Sequence, residues 1–275
     1  MSSEIEIRVL KTNTELKMVQ ELEKEIWKMD PLPLHQTITA SQNGGFLLGA
    51  FLHEEMVGFS YSFAGFSKGQ SYLCSHMLGI HPRHQVKGIG ARLKQAQMEI
   101  AQEMGYELIT WTYDPLETRN ANLNLNKLHA ISSTYVENCY GEMEDSLNQG
   151  LPSDRLKVEW WINSPHVSEH FDLDQYEAQF LFQCELTEDH LPILMDPVDG
   201  FENNIDYNKP VFVPVPTNFQ QLKSTNPELA IDWRHKTRTI FQTLFNKSYT
   251  VVSLIKSENE PIYYYIFVRK DILKI

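Results

Sequence analysis

A short loop with two glycines joins a strand-like run to a long periodic segment. The run from Tyr72 to Ile80 enters the loop, and Gly88 and Gly90 stand at its far end. Backbone N–H groups at a helix N-terminus bind phosphate, and glycine lets the phosphate approach the backbone closely. The spacing predicts a phosphate site, with an ordinary strand-to-helix connection as the alternative. The loop lacks the Gly-Lys-Ser/Thr of a Walker motif, and Leu93 stands where a dinucleotide fingerprint has its third glycine.

Two side chains of the run before the loop could take part in catalysis. An unperturbed histidine has a pKa near 6.5, so His76 is suited to accept a proton at neutral pH. A histidine that is only hydrogen-bonded within the sheet is the alternative. Cys74 is predicted to share the face of His76 because strand residues alternate, but the sequence gives this thiol no clear activating neighbour.

The elements around the loop predict an α+β fold with the order β-α-α-β-β-β-α-β-α-β-β. The predicted strands are 5–10, 46–52, 56–63, 72–80, 108–113, 131–137 and 155–162, and the predicted helices are 12–27, 35–42, 88–104 and 118–128. In the third helix, Ile89, Leu93, Ala96, Ile100 and Met104 are predicted to form one apolar stripe. This order places the glycine loop between the fourth strand and the third helix.

Composition limits the classes of partner. The chain has 275 residues, with 24 Lys and Arg against 36 Asp and Glu, so the net charge is −12. We expect no nucleic-acid surface, because such surfaces need clustered basic residues. We also expect no membrane partner and a cytoplasmic location, because the start is acidic and no apolar run approaches about 20 residues. Three scattered cysteines indicate reduced thiols.

The residues Gln85-x-x-Gly88-x-Gly90 resemble the pyrophosphate motif of the GNAT superfamily of N-acetyltransferases. The predicted element order also resembles that fold, a mostly antiparallel splayed sheet flanked by helices, over residues 1–163. The chain is most similar to an uncharacterised branch with a C-terminal extension. The similarity to this branch rests on Ser75-His76-Met77-Leu78, Trp111-Thr-x-Asp114-Pro115-Leu116, Arg119-Asn120-Ala121, Asn124-Leu125 and Leu151-Pro152-x-Asp154-Arg155-Leu156.

The resemblance implies an acyltransferase that uses acetyl-CoA or another acyl-CoA. An amine of a small molecule or peptide would attack the thioester directly, with His76 as our preferred base and the Leu78 N–H as the usual oxyanion donor. The strand from Leu78 to Ile80 would pair with the pantetheine arm, and Asn124 would contact that arm. The implied pyrophosphate donors are the N–H groups of Gln85, Val86, Lys87, Gly88, Ile89 and Gly90.

One position departs from the family pattern. Many members have a tyrosine in the helix after strand 5, where this chain has Leu125, so the usual proton donor to the leaving thiolate is missing. Tyr113 or Tyr135 could replace it, or the thiolate could leave without help; we select Tyr135 as the candidate. An acyl-CoA-binding or interaction module that has lost catalysis is therefore the non-enzymatic alternative.

Residues 164–275 are predicted to form an acidic connector and an α+β extension. The extension has the order β-α-α-β-β, with strands 211–215, 249–255 and 262–268 and helices 218–223 and 229–245. Because this order matches the start of the chain, the extension could be a partial second GNAT-like lobe. Such a two-lobed relative, with a non-standard acyl donor or acceptor, could use the lobe for the acceptor site or for a homodimer interface. We expect no metal, since His166 and His170 lack further ligands at suitable spacing.

Overall fold

The computed structural model describes residues 5–85, 88–143, 149–169 and 171–275, and the fold is α+β. It contains two compact units. The first comprises residues 1–111 and 161–163, and the second comprises residues 112–160 and 164–275. The boundary expected at residue 163 stays a prediction. None of the described helices is both long enough and apolar enough to cross a bilayer.

The first unit is a five-stranded sheet with three helices. Its elements are β1 (Ile5–Val9), α1 (Asn13–Trp27), α2 (Leu34–Gln42), β2 (Phe46–Leu52), β3 (Glu55–Ser67), β4 (Gln70–Ile80), α3 (Ile89–Glu103) and β5 (Leu108–Tyr113), whose last two residues belong to the second unit. The strands follow the order β1-β2-β3-β4-β5, antiparallel up to β4, while β5 is parallel to β4. The element order is the one predicted from the sequence.

Helix α1 is fixed by its first turn and by its apolar face. The Thr12 side chain accepts from the Glu15 N–H, and the Glu15 carboxylate accepts from the Thr12 N–H, which is a capping box. Leu16, Val19 and Leu22 are buried in a core that also contains Phe59 and Tyr61 of β3. The apolar spacing of α1 therefore packs this helix against the sheet that carries the predicted base.

We expect the Glu15 carboxylate of this capping box to contribute stability that is lost in acid. The Arg8 guanidinium, followed by the Lys11 and Thr12 N–H groups, lowers the pKa of Glu15 to about 2. Because the folded pKa lies below the ordinary value of 4.5, the stabilisation is present above that pH and is lost as the pH falls from 4.5 to 2. Glu15→Gln keeps an acceptor for the Thr12 N–H, and we expect its melting temperature to lie below that of wild type at pH 7. Melting scans should show this gap narrowing by pH 3; a constant gap would contradict the assignment.

The second unit contains five strands in continuous pairing order and a separate hairpin. Its elements are α4 (Thr118–Ala121), β6 (Ile131–Val136), β7 (Arg155–Trp161), α5 (Pro165–Glu169), β8 (Cys184–Leu186), β9 (Pro192–Leu194), β10 (Val211–Pro216), α6 (Phe219–Thr225), α7 (Pro227–Asn246), β11 (Tyr249–Lys256) and β12 (Ile262–Arg269). The sheet order is β7-β6-β11-β12-β10, and β8 pairs with β9. All of the described pairs between these strands are antiparallel.

The extension does not repeat the start of the chain. Its elements have the predicted order, but β10 pairs with β12, whereas β1 pairs with β2. The hypothesis of a second GNAT-like lobe required the same pairing and is therefore wrong in this respect. Pro214 and Pro216 lack an N–H, which suits β10 to an outer position in the sheet. Ahead of β10 in the chain, Gln179 forms one parallel bridge with Val211.

The predicted helix 118–128 changes its type after one turn. It is α-helical in α4 and continues as a π-helix over Asn122–Lys127. The Asn126 amide explains part of this change, because it donates to the Leu254 carbonyl at 2.7 Å and accepts from the Leu254 N–H at 3.0 Å. A side chain that hydrogen-bonds the backbone of a strand in this way competes with regular helix geometry.

Candidate active site

Strand β4 contains a bulge at the predicted base. Ser75 pairs with Ser62 and Met77 pairs with Tyr61, so His76 is an extra residue on β4. A bulge re-aims a side chain and bends its strand. The His76 side chain is exposed, and its ring lies 5.9 Å from the Tyr61 ring and 5.7 Å from the Phe63 ring. The bulge also interrupts the alternation that placed Cys74 on the same face, so that prediction no longer follows from the spacing.

The environment of His76 favours a neutral imidazole. Desolvation by the surrounding protein lowers its pKa below the ordinary value of 6.5. A neutral imidazole has a lone pair available to accept a proton. His76 therefore has the protonation state that a general base needs at neutral pH.

Strands β4 and β5 are paired over only a short distance. Their described register consists of Leu73 with Ile109 and Cys74 with Thr110. Beyond these pairs β4 continues to Ile80 beside β3. His76, Leu78 and Ile80 therefore all follow the point at which the described pairing with β5 ends. An extended ligand could pair with backbone groups that a neighbouring strand leaves unused.

The glycine loop leads directly into α3. Gly88 is the N-cap of α3 with φ of 69°, and a Cβ added there would meet no atom within 4 Å. A Cβ on Gly90 would lie 3.7 Å from Leu78 Cδ2, so the first turn of α3 is close to β4. Gln85 is exposed, whereas Val86 and Lys87 lie outside the described residues. Open space in front of a helix N-terminus fits a pyrophosphate group.

Tyr135 and Asn124, the predicted site residues of the second unit, are partly or fully buried. The Tyr135 hydroxyl donates to Asp154 Oδ2 at 2.6 Å, and Arg238 binds the same carboxylate through Nε at 2.8 Å. Burial is the largest cause of the raised pKa of Tyr135. Asn124 and Leu125 are both buried, with 2% and 1% of their surfaces exposed. Tyr135 is thus already engaged in a hydrogen-bonded ion-pair network.

Two residues of the motifs that resemble the uncharacterised branch hold the extension. The Asp114 carboxylate accepts two hydrogen bonds from Arg234 of α7, at 2.9 and 2.5 Å, and Arg234 is 1% exposed. One helical turn later, Arg238 forms the corresponding pair with Asp154. The sequence did not indicate these partners, because each pair joins residues more than 80 positions apart. Asp114 and Asp154 therefore have a clear structural role.

The first unit contains a buried lysine, Lys94, that the sequence did not predict. The predicted apolar stripe of α3 included Met104, which is 45% exposed, whereas Lys94 and Gln97 are 2% and 0% exposed. Lys94 Nζ donates to Ser75 Oγ at 2.7 Å, and the Gln97 amide donates to Ser60 Oγ at 3.0 Å. These serines explain the rotation of the buried face, because they satisfy polar groups that a wholly apolar sheet would leave unpaired.

The described residues contain no candidate metal site. No group of three or more His, Cys, Asp or Glu side chains is close enough to hold an ion in this part of the chain. His166 is buried at 7% exposure, and His170 lies outside the described residues.

Comparison with solved structures gives matches over a little more than half of the chain. The Escherichia coli ribosomal-protein-S18-alanine N-acetyltransferase is 14% identical with a TM-score of 0.48, covering 58% of this chain and 94% of its own. Arabidopsis thaliana NAA60, solved with a bisubstrate analogue, is 12% identical with a TM-score of 0.47, covering 58% and 99%. The Salmonella typhimurium protein yncA, solved with its cofactor acetyl-CoA, is 13% identical with a TM-score of 0.48, covering 58% and 94%.

Comparison with protein-family models gives a match to one continuous segment of the chain. No curated protein gives a significant match to the chain. The model of the acetyltransferase (GNAT) family matches residues 13–130, a segment that runs from the start of α1 through the bulged strand, the glycine loop and α4. This match confirms the resemblance first indicated by Gln85, Gly88 and Gly90. The segment 13–130 is therefore similar to the acetyltransferase (GNAT) family.

Proposed function

We propose that this chain transfers an acetyl group from acetyl-CoA to an amine of a small molecule or a peptide. The observation that carries the proposal is the arrangement of β4 within the GNAT segment. This strand presents an exposed histidine at a bulge, and its far end leads to the glycine that begins α3. In this proposal the base lies on β4 and the anion site follows the far end of that strand, an arrangement that suits direct attack on a thioester.

The proposed chemistry uses four groups of the first unit. The N-terminus of α3, from Gly88 to Gly90, binds the pyrophosphate, and the β4 backbone toward Ile80 pairs with the pantetheine arm. The Leu78 N–H stabilises the oxyanion that forms when the amine attacks the thioester carbon. His76 takes the proton of the attacking amine. The C–N bond forms, the C–S bond breaks, and CoA leaves as the thiolate.

The leaving thiolate needs a proton from another group. Tyr135 was the sequence candidate, but its hydroxyl already donates to Asp154 and burial raises its pKa. Protonated His76 can return its proton to the thiolate, which restores the base without a tyrosine at the position of Leu125. We therefore assign both proton transfers to His76. Cofactor contact by Asn124 stays a prediction, as does homodimer formation.

Two glycine variants test the binding half of the proposal. Acetyl-CoA should raise the melting temperature of the wild-type protein, because a ligand that binds only the folded state stabilises it. Gly88→Glu should abolish the rise by placing a carboxylate where the pyrophosphate binds. Gly69→Glu is the matched control, since Gly69 also has a positive φ, of 82°, and open space at its Cβ.

Each outcome of this comparison bears on the function. Loss of the shift in both variants would indicate a general effect of the substitution and would count against the phosphate site. A wild-type protein without any shift would contradict acyl-CoA binding altogether. A shift without CoA release in the presence of any amine would favour the binding module that Leu125 first suggested.

A further inference from the structure

The amine of Lys94 has three partners inside the first unit. Its Nζ lies 2.7 Å from Ser75 Oγ, 3.3 Å from Gln97 Oε1 and 3.4 Å from the centroid of the Trp111 ring. An ammonium group over an indole face is attracted by the ring quadrupole, and a neutral amine can still direct an N–H at the same face. With 2% of its surface exposed, Lys94 cannot extend its amine to bulk water as most lysines do.

Burying the amine of Lys94 destabilises the folded state. Removing an ammonium group from water costs several kcal/mol in real proteins, and apolar residues of similar volume are often neutral or stabilising in its place. Burial accordingly lowers the pKa of Lys94 well below its ordinary range. Departures from a well-packed apolar core are concentrated at functional sites. The cost of Lys94 is therefore a reason to look for a role beyond stability.

Two of the three partners, Ser75 and Trp111, place Lys94 at one point of the sheet. Ser75 directly follows Cys74, and Trp111 directly follows Thr110, which together form the last described pair between β4 and β5. The amine therefore touches the first residue of each strand after that pairing ends. The residue after Ser75 is the bulged His76.

We propose that Lys94 is a positioning residue of the acyl-CoA site, which holds β4 and β5 at the point where they part so that the thioester end of acyl-CoA enters in a productive geometry. This inference rests on the proposed function. The hydrogen bond to Ser75 fixes β4 against α3, and the contact with the Trp111 face fixes β5. Lys94 follows Gly88 by six residues on the same helix. Helix α3 thereby sets the distance between the phosphate site and the thioester.

Lys94→Met tests this role with two probes that differ in length. Acetyl-CoA reaches from the phosphate site to the thioester, whereas adenosine 3′,5′-bisphosphate contains only the nucleotide end. By calorimetry we expect the Met variant to bind acetyl-CoA about tenfold more weakly and to bind the bisphosphate within about twofold of wild type. Its melting temperature should be unchanged or higher, because the buried amine is gone.

Gln95→Met is the matched control. Gln95 is exposed on α3, next to Lys94, and this variant should bind both probes as the wild type does. Equal weakening of both probes by Lys94→Met, or no weakening of either, would overturn the positioning role. If Lys94→Met does not fold, Ser75→Ala removes the hydrogen-bond acceptor and must show the same selective loss. A wild-type protein that binds neither probe would overturn the proposed function, and this inference with it.

Discussion

Replacing His76 with asparagine is expected to slow acetyl transfer by about 10²–10⁴-fold, the usual contribution of a general base. Asparagine is polar and fits the exposed position on β4, but its amide cannot take a proton from an amine. Acetyl-CoA binding should change little, because the phosphate site at Gly88 stays intact. The measurement is steady-state CoA release, together with calorimetry of acetyl-CoA binding for each variant.

The control for this prediction is His53→Asn. His53 is exposed in the turn between β2 and β3, where φ is 58°, and asparagine tolerates that conformation well. Its turnover should stay within about twofold of wild type. Unchanged turnover in His76→Asn would remove His76 from the role of base. A parallel loss in both variants would indicate a general response to histidine replacement.

The pH profile gives a second readout of His76. Desolvation lowers its pKa, so the neutral form that accepts a proton is populated at pH values below the ordinary 6.5. Turnover should therefore rise with pH through a midpoint below 6.5 and level off by neutral pH. His76→Asn should lose this acidic limb in the profile of kcat. An unchanged limb would assign the titration to another group.

Arg234→Met is expected to lower the free energy of unfolding by about 3 kcal/mol, the low end of the cost of breaking a buried ion pair, because Arg155 Nη1 stays 3.7 Å from Asp114 Oδ2. The side chain of Asp114 is only 12% exposed, and it would lose the two hydrogen bonds from Arg234. Removing both charges in Asp114→Asn/Arg234→Met should recover part of this loss. Urea denaturation followed by circular dichroism measures the free energy of unfolding of the wild type, of each single variant and of the double variant.

Lys236→Met on the same helix is the matched control. Its carboxylate partners Asp196 and Asp232 have side chains that are 89% and 40% exposed, and its third partner is the Leu194 carbonyl at 2.7 Å, so the loss should stay near 1 kcal/mol, about the value of one hydrogen bond. A cost below 1 kcal/mol for Arg234→Met would show that the pair with Asp114 is not a main support of the second unit. A double variant as unstable as the sum of its singles would contradict the electrostatic explanation.

The sequence predicted those parts of the fold that depend on local pattern. The predicted helix 12–27 and the glycine at the start of α3 both depend on residues that lie within a few positions of each other. Helix geometry and the conformational freedom of Gly88 determine these features, so the local sequence is sufficient to predict them. The glycine loop before α3 could be recognised for the same reason.

Features that depend on distant partners could not be predicted. The order of elements in the extension was correct, yet nothing local indicates that β10 pairs with β12. Lys94 looks like a surface residue until Ser75 and Trp111 are known to meet its amine. The bulge at His76 arises from the register between β3 and β4, which a strictly alternating pattern does not reveal.

The most direct test of the central claim is the transfer of a labelled acetyl group. The full chain is incubated with [¹³C]acetyl-CoA and a panel of small-molecule and peptide amines, and mass spectrometry follows the products. The account predicts an amine that gains one labelled acetyl group while an equal amount of free CoA appears. Gly88→Glu should lose this activity, and Gly69→Glu should retain it. Binding of acetyl-CoA with no labelled product from any amine would contradict the account.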